Sequence, residues 1–189
     1  MNLIWRTIWV LLTSRFGSKV NLFDVSSITF RVLPTDVDFL WHMNNGRYFS
    51  LMDLARFNFT IRNNALPLLR KNKIFAVAAS EMIRFKKSLN LFQKFQITTQ
   101  LLGWDHRFFY IAHCFKSKGN LYALALVKGC FVNKSNGTLD PHKVLTLLGH
   151  QEISPPLPEW VKQWQTADHS FHQEIISSDK HEVRNVSST

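Results

Sequence analysis

The sequence predicts an α+β domain in which one long helix is set against an antiparallel sheet, with a short amphipathic helix ahead of both. Three observations predict it: a helical pattern from Gly46 to Ile61, four successive strand-like stretches between Ile74 and Val132, and a length of 189 residues that suits one domain. Hydrophobic residues make up 46% of the chain and charged ones only 19%, which excludes a disordered protein.

At the N-terminus, Leu3 to Leu12 is nearly all apolar but is about half the ~20 residues a membrane span requires, and it contains Arg6. Thr13-Ser14-Arg15-Phe16 follows where a leader peptide would carry a small-residue cleavage site. An amphipathic helix remains, with Trp5, Trp9 and Leu12 at helical spacing beside Ile4, Ile8 and Leu11, and with Asn2, Arg6 and Thr13 on a narrower polar face. Its apolar side can pack on the domain or contact a membrane surface.

Ser27 to Leu33 reads as a strand, ended by Pro34, and the turn Pro34-Thr35-Asp36 follows. Asn44 and Asn45 are candidates to cap the long helix, whose apolar positions are Tyr48, Leu51, Ala55 and Phe59, and which closes at Asn63-Asn64 and then Pro67. The strand-like stretches are Ile74 to Lys86, Phe92 to Leu102, Arg107 to Lys116 and Leu121 to Val132. Alternation is clearest in the second, where Phe95, Ile97, Thr99 and Leu101 share one face. Short breaks at Ser88-Leu89-Asn90, Gly103-Trp104-Asp105-His106 and Lys118-Gly119-Asn120 make an antiparallel meander the economical topology.

Several strands are apolar on both faces, and a single helix covers only one, so a second copy of the chain is expected against the other face or the sheet edge. A short helix (Lys143 to Leu148) and a proline-rich passage lead into Trp160, Val161 and Trp164. Residues 166–189 show no periodicity and are expected to be disordered, which divides the chain into 1–20 (helix), 21–165 (domain) and 166–189 (tail).

The net charge is +10, carried by the first 165 residues, since the tail is slightly acidic. Such a surface attracts polyanions, whether nucleic acid, anionic lipid or a phosphorylated carrier. Nucleic acid is not expected, because no helix-turn-helix, zinc or RNA-binding aromatic pattern accompanies the charge. The two cysteines, Cys114 and Cys130, are too few for a disulfide scaffold. With Gly119-Asn120 as the hairpin turn they fall about five residues out of register, ~17 Å at strand rise, so both are expected as reduced thiols in a cytosolic protein.

Asp36, Asp38, His42, Asn44 and Asn45 cluster between a strand end and a helix start. The first amides of a helix lack intrahelical partners and lie at the positive end of its dipole, so they can stabilise an oxyanion. A carboxylate just upstream can act as nucleophile or general base on a carbonyl held there. The same residues would also serve as turn and helix caps, and residue types alone do not choose between the two readings.

The run Asp36-Val37-Asp38-Phe39-Leu40-Trp41-His42-Met43-Asn44-Asn45-Gly46-Arg47-Tyr48 resembles the signature Asp-x-Asp-x-x-Gly-His-Val-Asn-Asn-x-x-Tyr of the 4-hydroxybenzoyl-CoA thioesterase-like hotdog superfamily, with no change of spacing. Arg84-Phe85-Lys86-Lys87-Ser88-Leu89, Leu101-Leu102-Gly103-Trp104-Asp105 and Pro155-Pro156-Leu157-Pro158 resemble its thioesterase superfamily member 6-like branch. The resemblance implies a hotdog fold, in which an antiparallel sheet wraps a long central helix and two subunits pair their sheets, with acyl-CoA sites at the dimer interface. It implies hydrolysis of an acyl thioester with Asp38 as the catalytic carboxylate, amides around Asn45 and Gly46 as oxyanion donors, His42 as a further catalytic residue and Tyr48 as a substrate-binding residue. Arg84, Lys86 and Lys87 are candidates for the coenzyme A phosphates; alternatively they are a solvated edge that blocks aggregation. Thioester hydrolysis needs no metal or redox cofactor.

Two departures stand out. Trp41 replaces the family Gly, which removes the backbone freedom Gly gives, and Leu40 stands where plant acyl-carrier-protein thioesterases carry an Asn. Hotdog hydratases place Asp and His five apart, whereas Asp38 and His42 are four apart. A non-catalytic acyl-CoA or lipid-binding hotdog is the competing class.

Overall fold

The computed structural model describes residues 3–135 and 137–186, with side chains through 177; Asn2, assigned above to the polar helix face, lies outside them. Helix α1 (Leu3–Phe16) leads through a loop to β1 (Ser26–Arg31) and then to the long helix α2 (Asn45–Arg62). Next come α3 (Leu66–Lys71), β2 (Ile74–Phe85), β3 (Lys94–Trp104), β4 (Phe109–Ser117), β5 (Asn120–Asn133), β6 (Gly137–Leu139) and α4 (Pro141–Leu147). The strands form one antiparallel sheet in the order β1-β3-β4-β5-β2, with β6 beside β5.

Alternation on β3 is as read from the sequence: Phe95, Ile97, Thr99 and Leu101 are buried on one face. That face meets Tyr48, Leu51, Met52 and Ala55 of α2, so the sheet wraps around the long helix. A second cluster joins Leu101, Trp104, Phe109 and Phe131 to Phe59, Leu69 and Val144 at the far end of α2. Gly129 is required there, because a Cβ at that position would lie 2.3 Å from the Phe109 ring.

The meander holds only for β3-β4-β5. The break Ser88-Leu89-Asn90, expected as a turn between neighbours, is instead part of a crossover, because β2 pairs with β5 at the opposite edge from β1. A tight hairpin would have left Leu89 in water; the crossover buries it completely in the α2 core.

The β4–β5 turn is also one position off. Ser117 faces Asn120 and the turn is Lys118-Gly119, both with positive φ (47° and 77°), the conformation of a type I′ hairpin. A bulge between Phe115 and Lys116 then sets Cys114 opposite Leu124, and both cysteines are free thiols. Pro67, read as a helix stop, opens the short helix α3, where a missing N–H costs nothing.

Residues 1–155 and 156–189 are separate compact units. The second is largely helix α5 (Glu159–Val186), which runs into the stretch 166–189 expected as a tail; residues 187–189 of that stretch lie outside the described residues. Trp160, Trp164, Phe171 and Ile175 recur at spacings of roughly 4 and 7, a helical stripe.

Candidate functional site

The motif folds into a small β-hairpin ahead of α2. The Asp38 amide donates to the His42 carbonyl (3.0 Å), Val37 bridges Met43, and the Asn44 amide donates to the Asp36 carbonyl (2.8 Å). Phe39, Leu40 and Trp41 form its three-residue loop, in which the Trp41 amide returns to the Asp38 carbonyl (3.0 Å). Such loops end in a residue with left-handed backbone, the usual place for glycine. Trp41 occupies it with φ of 61°. The backbone shape that Gly would favour is thus retained despite the substitution, at a strain of roughly 1–2 kcal/mol for a side-chain-bearing residue.

The crossover between β2 and β3 pins this hairpin from below. The Met43 amide donates to the Leu89 carbonyl (2.8 Å), and His42 bridges Asn90. The sequence carried one signal for this contact, an apolar Leu89 inside a polar break.

The two aspartates are held quite differently. Asp36 is buried (2% exposed). Its Oδ2 accepts from the Leu33 amide (2.8 Å) and from Arg6 of α1 (2.5 Å), and Arg47 lies 3.7 Å from Oδ1. Every charge-bearing contact of Asp36 is structural. Asp38 is only half-buried, and its Oδ1 accepts one bond, from the Leu40 amide (2.9 Å), an Asx-type turn. Around it, Phe39, Leu40 and Trp41 are all exposed, which leaves the carboxylate beside an apolar rim.

At the start of α2, Asn44 is the N-cap. Its Oδ1 accepts from the Gly46 amide (2.9 Å), and a Cβ at residue 46 would come within 3.3 Å of that oxygen. Of the two expected oxyanion amides, Gly46 is therefore already engaged by the cap, whereas the Asn45 amide has no partner among the described residues. The His42 side chain is half-buried beside this hairpin. Tyr48 sits elsewhere: it is 2% exposed in the core, its ring 4.9 Å from both Phe85 and Phe115. Burial pushes its hydroxyl pKa up to about 12 against the opposing effect of a bond to the Leu89 backbone. Within a single chain it braces the crossover rather than lining a surface.

Arg84, Lys86 and Lys87 are exposed at the end of β2, and the amides of both lysines donate to the Tyr122 carbonyl (2.8 and 3.1 Å). The chain continues from Lys87 directly into Leu89 and Asn90, the residues that pin the motif hairpin. The structure thus brings these cations to the same end of the sheet as Asp38.

A second polar constellation lies further along α2. Arg56 contacts Asp53 and lies 3.0 Å from Glu81 of β2, while His113 of β4 is fully buried between Thr99 (Nδ1 to Oγ1, 3.1 Å) and Arg56 (3.5 Å). Burial, helped by the Arg56 charge, lowers the His113 pKa to about 3, so the ring is neutral. Glu81 is raised by burial and by Asp53 against the attraction of Arg56. Its Oε1 lies near Arg56 without hydrogen-bond alignment. No cluster of His, Cys, Asp and Glu able to hold a metal is present among the described residues.

Comparison with known proteins follows the same lines. The sequence profile of the Thioesterase-like superfamily matches residues 32–165. The protein named THEM6 of Danio rerio is 29% identical over 181 residues, covering 93% of this chain and 88% of that protein. Its namesake in Xenopus laevis is 34% identical over 146 residues, covering 76% and 69%. Among solved structures, a gentisyl-coenzyme A thioesterase superposes with a TM-score of 0.59 at 20% identity, covering 64% of this chain and 99% of its own. A Staphylococcus aureus protein solved in complex with CoA gives 0.59 at 17% identity, covering 76% and 96%. These structural likenesses carry the fold, and the sequence match carries the family. With its sheet wrapped around α2 and its motif hairpin set at the start of that helix, the chain is a hotdog protein of the thioesterase-like superfamily.

Proposed function

We propose that the protein is an acyl-CoA thioesterase that hydrolyses an acyl thioester to the free acid and coenzyme A. The observation that carries this reading is the contrast between the two motif aspartates. Asp36 is consumed by structural contacts, while Asp38 is held by one turn bond at an apolar rim. In this reading Asp38 activates water or attacks the thioester carbonyl directly, and the thiolate of coenzyme A leaves. The Asn45 amide, at the positive end of α2, stabilises the oxyanion; an oxyanion would have to compete with Asn44 for the Gly46 amide. His42 lies across the hairpin from Asp38 and orients the loop. Arg84, Lys86 and Lys87 bind the coenzyme A phosphates. Tyr48 supports the site by packing under it.

The working unit is a homodimer. Strand β2, 12 residues long, ends the strand order of the sheet among the described residues, and Phe75, Val77, Met82 and Phe85 on it are exposed. A long apolar edge of this kind calls for pairing, and a second copy of β2 supplies it. The free cysteines favour a reducing, cytosolic location. The acyl chain would then lie along Phe39, Leu40 and Trp41.

The test is a panel of acyl-CoA substrates of increasing chain length, assayed with a thiol-detecting reagent. Thiol release that disappears in Asp38→Ala supports the proposal. Release no faster than that of Asp38→Ala on every substrate sinks it and favours an acyl-CoA or lipid-binding protein on the same fold.

A further inference from the structure

Helix α1 is mounted inside out. The residues it turns toward the domain are largely polar: Arg6 reaches Asp36 and the Arg31 carbonyl, and Ser14 accepts from Asn58, with Val10 fully buried, Leu3 partly buried against the core and the Trp9 ring tilted against Phe30. The residues it turns outward are Ile4, Trp5, Ile8, Trp9, Leu12 and Phe16, with Trp5 76% and Phe16 90% exposed. An amphipathic helix that only completed a core would sit the other way round. Of its apolar residues, Leu3, Val10 and Trp9 touch the domain, and most of the rest face outward.

Beside this face lies a cleft of about 510 Å³ between α1 and β1, walled by Trp9 and Phe30 and floored by Arg6, Arg31 and Lys94. Arg31 and Lys94 face each other directly in the β1–β3 ladder. Like charges so placed repel one another. Among the described residues no carboxylate pairs with either: the nearby Asp36 is held by Arg6 and Arg47, and the Arg31 side chain donates to the Phe92 carbonyl (2.9 Å). At the other end of the helix, Arg15 and Lys19 continue the positive charge next to Leu12 and Phe16. Two tryptophans, an aliphatic stripe and flanking cations match the boundary of an anionic bilayer, where indole rings sit at the headgroup level and Lys and Arg meet the phosphates.

We propose that the outward face of α1 and the Arg31–Lys94 cleft beside it dock the protein on an anionic lipid bilayer, with α1 lying in the plane of the interface. The 14-residue helix is ~21 Å long and cannot span ~30 Å of hydrocarbon. No helix among the described residues is long and apolar enough to cross. The inference is independent of the hydrolytic chemistry proposed for Asp38. It does bear on it, since Arg6 ties the docked helix to the residue that begins the motif hairpin.

The experiment is co-sedimentation of the full chain with vesicles of phosphatidylcholine alone and of phosphatidylcholine mixed with phosphatidylserine, with tryptophan emission as a second readout. Binding to the mixed vesicles is expected, with a blue shift and a fall on adding salt. Reversing both charges in the pair Arg31→Glu and Lys94→Glu should weaken partitioning by well over tenfold, since one cation near such a surface is worth about fivefold. Trp5→Ser with Trp9→Ser should abolish the blue shift, and circular dichroism establishes that each variant is folded. Equal binding to both vesicle types, no binding to either, or unchanged binding by both variants overturns the proposal. So does a particle mass that Trp5→Ser with Trp9→Ser lowers without any vesicle binding, which assigns the face to a second copy. A thermal shift with inorganic phosphate in the absence of vesicle binding assigns the cleft to a soluble anion instead.

Discussion

Removing the charge of Asp36 and removing that of Asp38 should have opposite consequences, although the two residues are separated by a single valine. In Asp36→Asn the Arg6 guanidinium, whose side chain is only 12% exposed, loses its buried counter-charge, and Arg47 loses its own. Breaking a buried pair by neutralising one partner costs about 3–5 kcal/mol. For a chain of 189 residues each kcal/mol is worth roughly 2–4 °C, so the melting temperature should fall by about 6–20 °C. Asp38→Asn keeps an oxygen able to accept the single turn bond from Leu40 and leaves no buried partner uncompensated. Its stability should change by less than about 1 kcal/mol. Thermal unfolding by circular dichroism, run beside thiol release on the best acyl-CoA, separates the two. The expected pattern is a destabilised Asp36→Asn and an inactive Asp38→Asn with a near-normal melting temperature. Comparable destabilisation in both, or none in Asp36→Asn, would refute the division of labour.

Three further outcomes are expected. Trp41→Gly should raise stability by up to about 1 kcal/mol in urea titrations, because relief of left-handed strain exceeds the flexibility Gly adds; a loss of more than that would mean the exposed indole contributes packing within the chain. The depressed His113 pKa means that the unfolded chain takes up a proton below about pH 6.5 while the folded one does not until about pH 3. Stability is therefore full above 6.5 and should fall by about 1.4 kcal/mol per pH unit through that window, and His113→Gln should flatten this slope in urea titrations stepped by pH. Placing lysine at both Val77 and Met82 on the β2 edge should halve the particle mass in analytical ultracentrifugation, and an unchanged mass would place the dimer contact elsewhere.

The sequence made the elements legible where their period was unmistakable. The stripe Tyr48, Leu51, Ala55 and Phe59 located α2 to within a residue at each end, and the alternation of Phe95 to Leu101 gave the buried face of β3. Strand order was less accessible, because a polar break such as Ser88-Leu89-Asn90 looks alike whether the chain turns back or crosses over. Only the fate of Leu89, buried or wet, distinguishes the cases, and that depends on the rest of the fold. The same limit applies to the site. Motif spacing located the hairpin, but it could not tell that Asp36 would be spent on an arginine 30 residues upstream. Nor could it tell that the Gly46 amide would be taken by Asn44, since a cap and an oxyanion donor are the same group until a structure assigns its partner. Tyr48 shows the reverse problem: it belongs both to the motif and to the apolar stripe of α2, and within the single chain its ring packs in the core.

The crossover carries a further consequence, for the order in which the molecule can assemble. Met43 and His42 are templated by Leu89 and Asn90, which emerge from the ribosome only after α2, α3 and all of β2. A long loop must close before these contacts form, and β2 must find β5, which is made later still. The motif loop is thus a late product of folding, shaped only when the sheet has closed around its helix. A nascent or truncated chain that stops short of β5 would carry the complete motif sequence and no functional site.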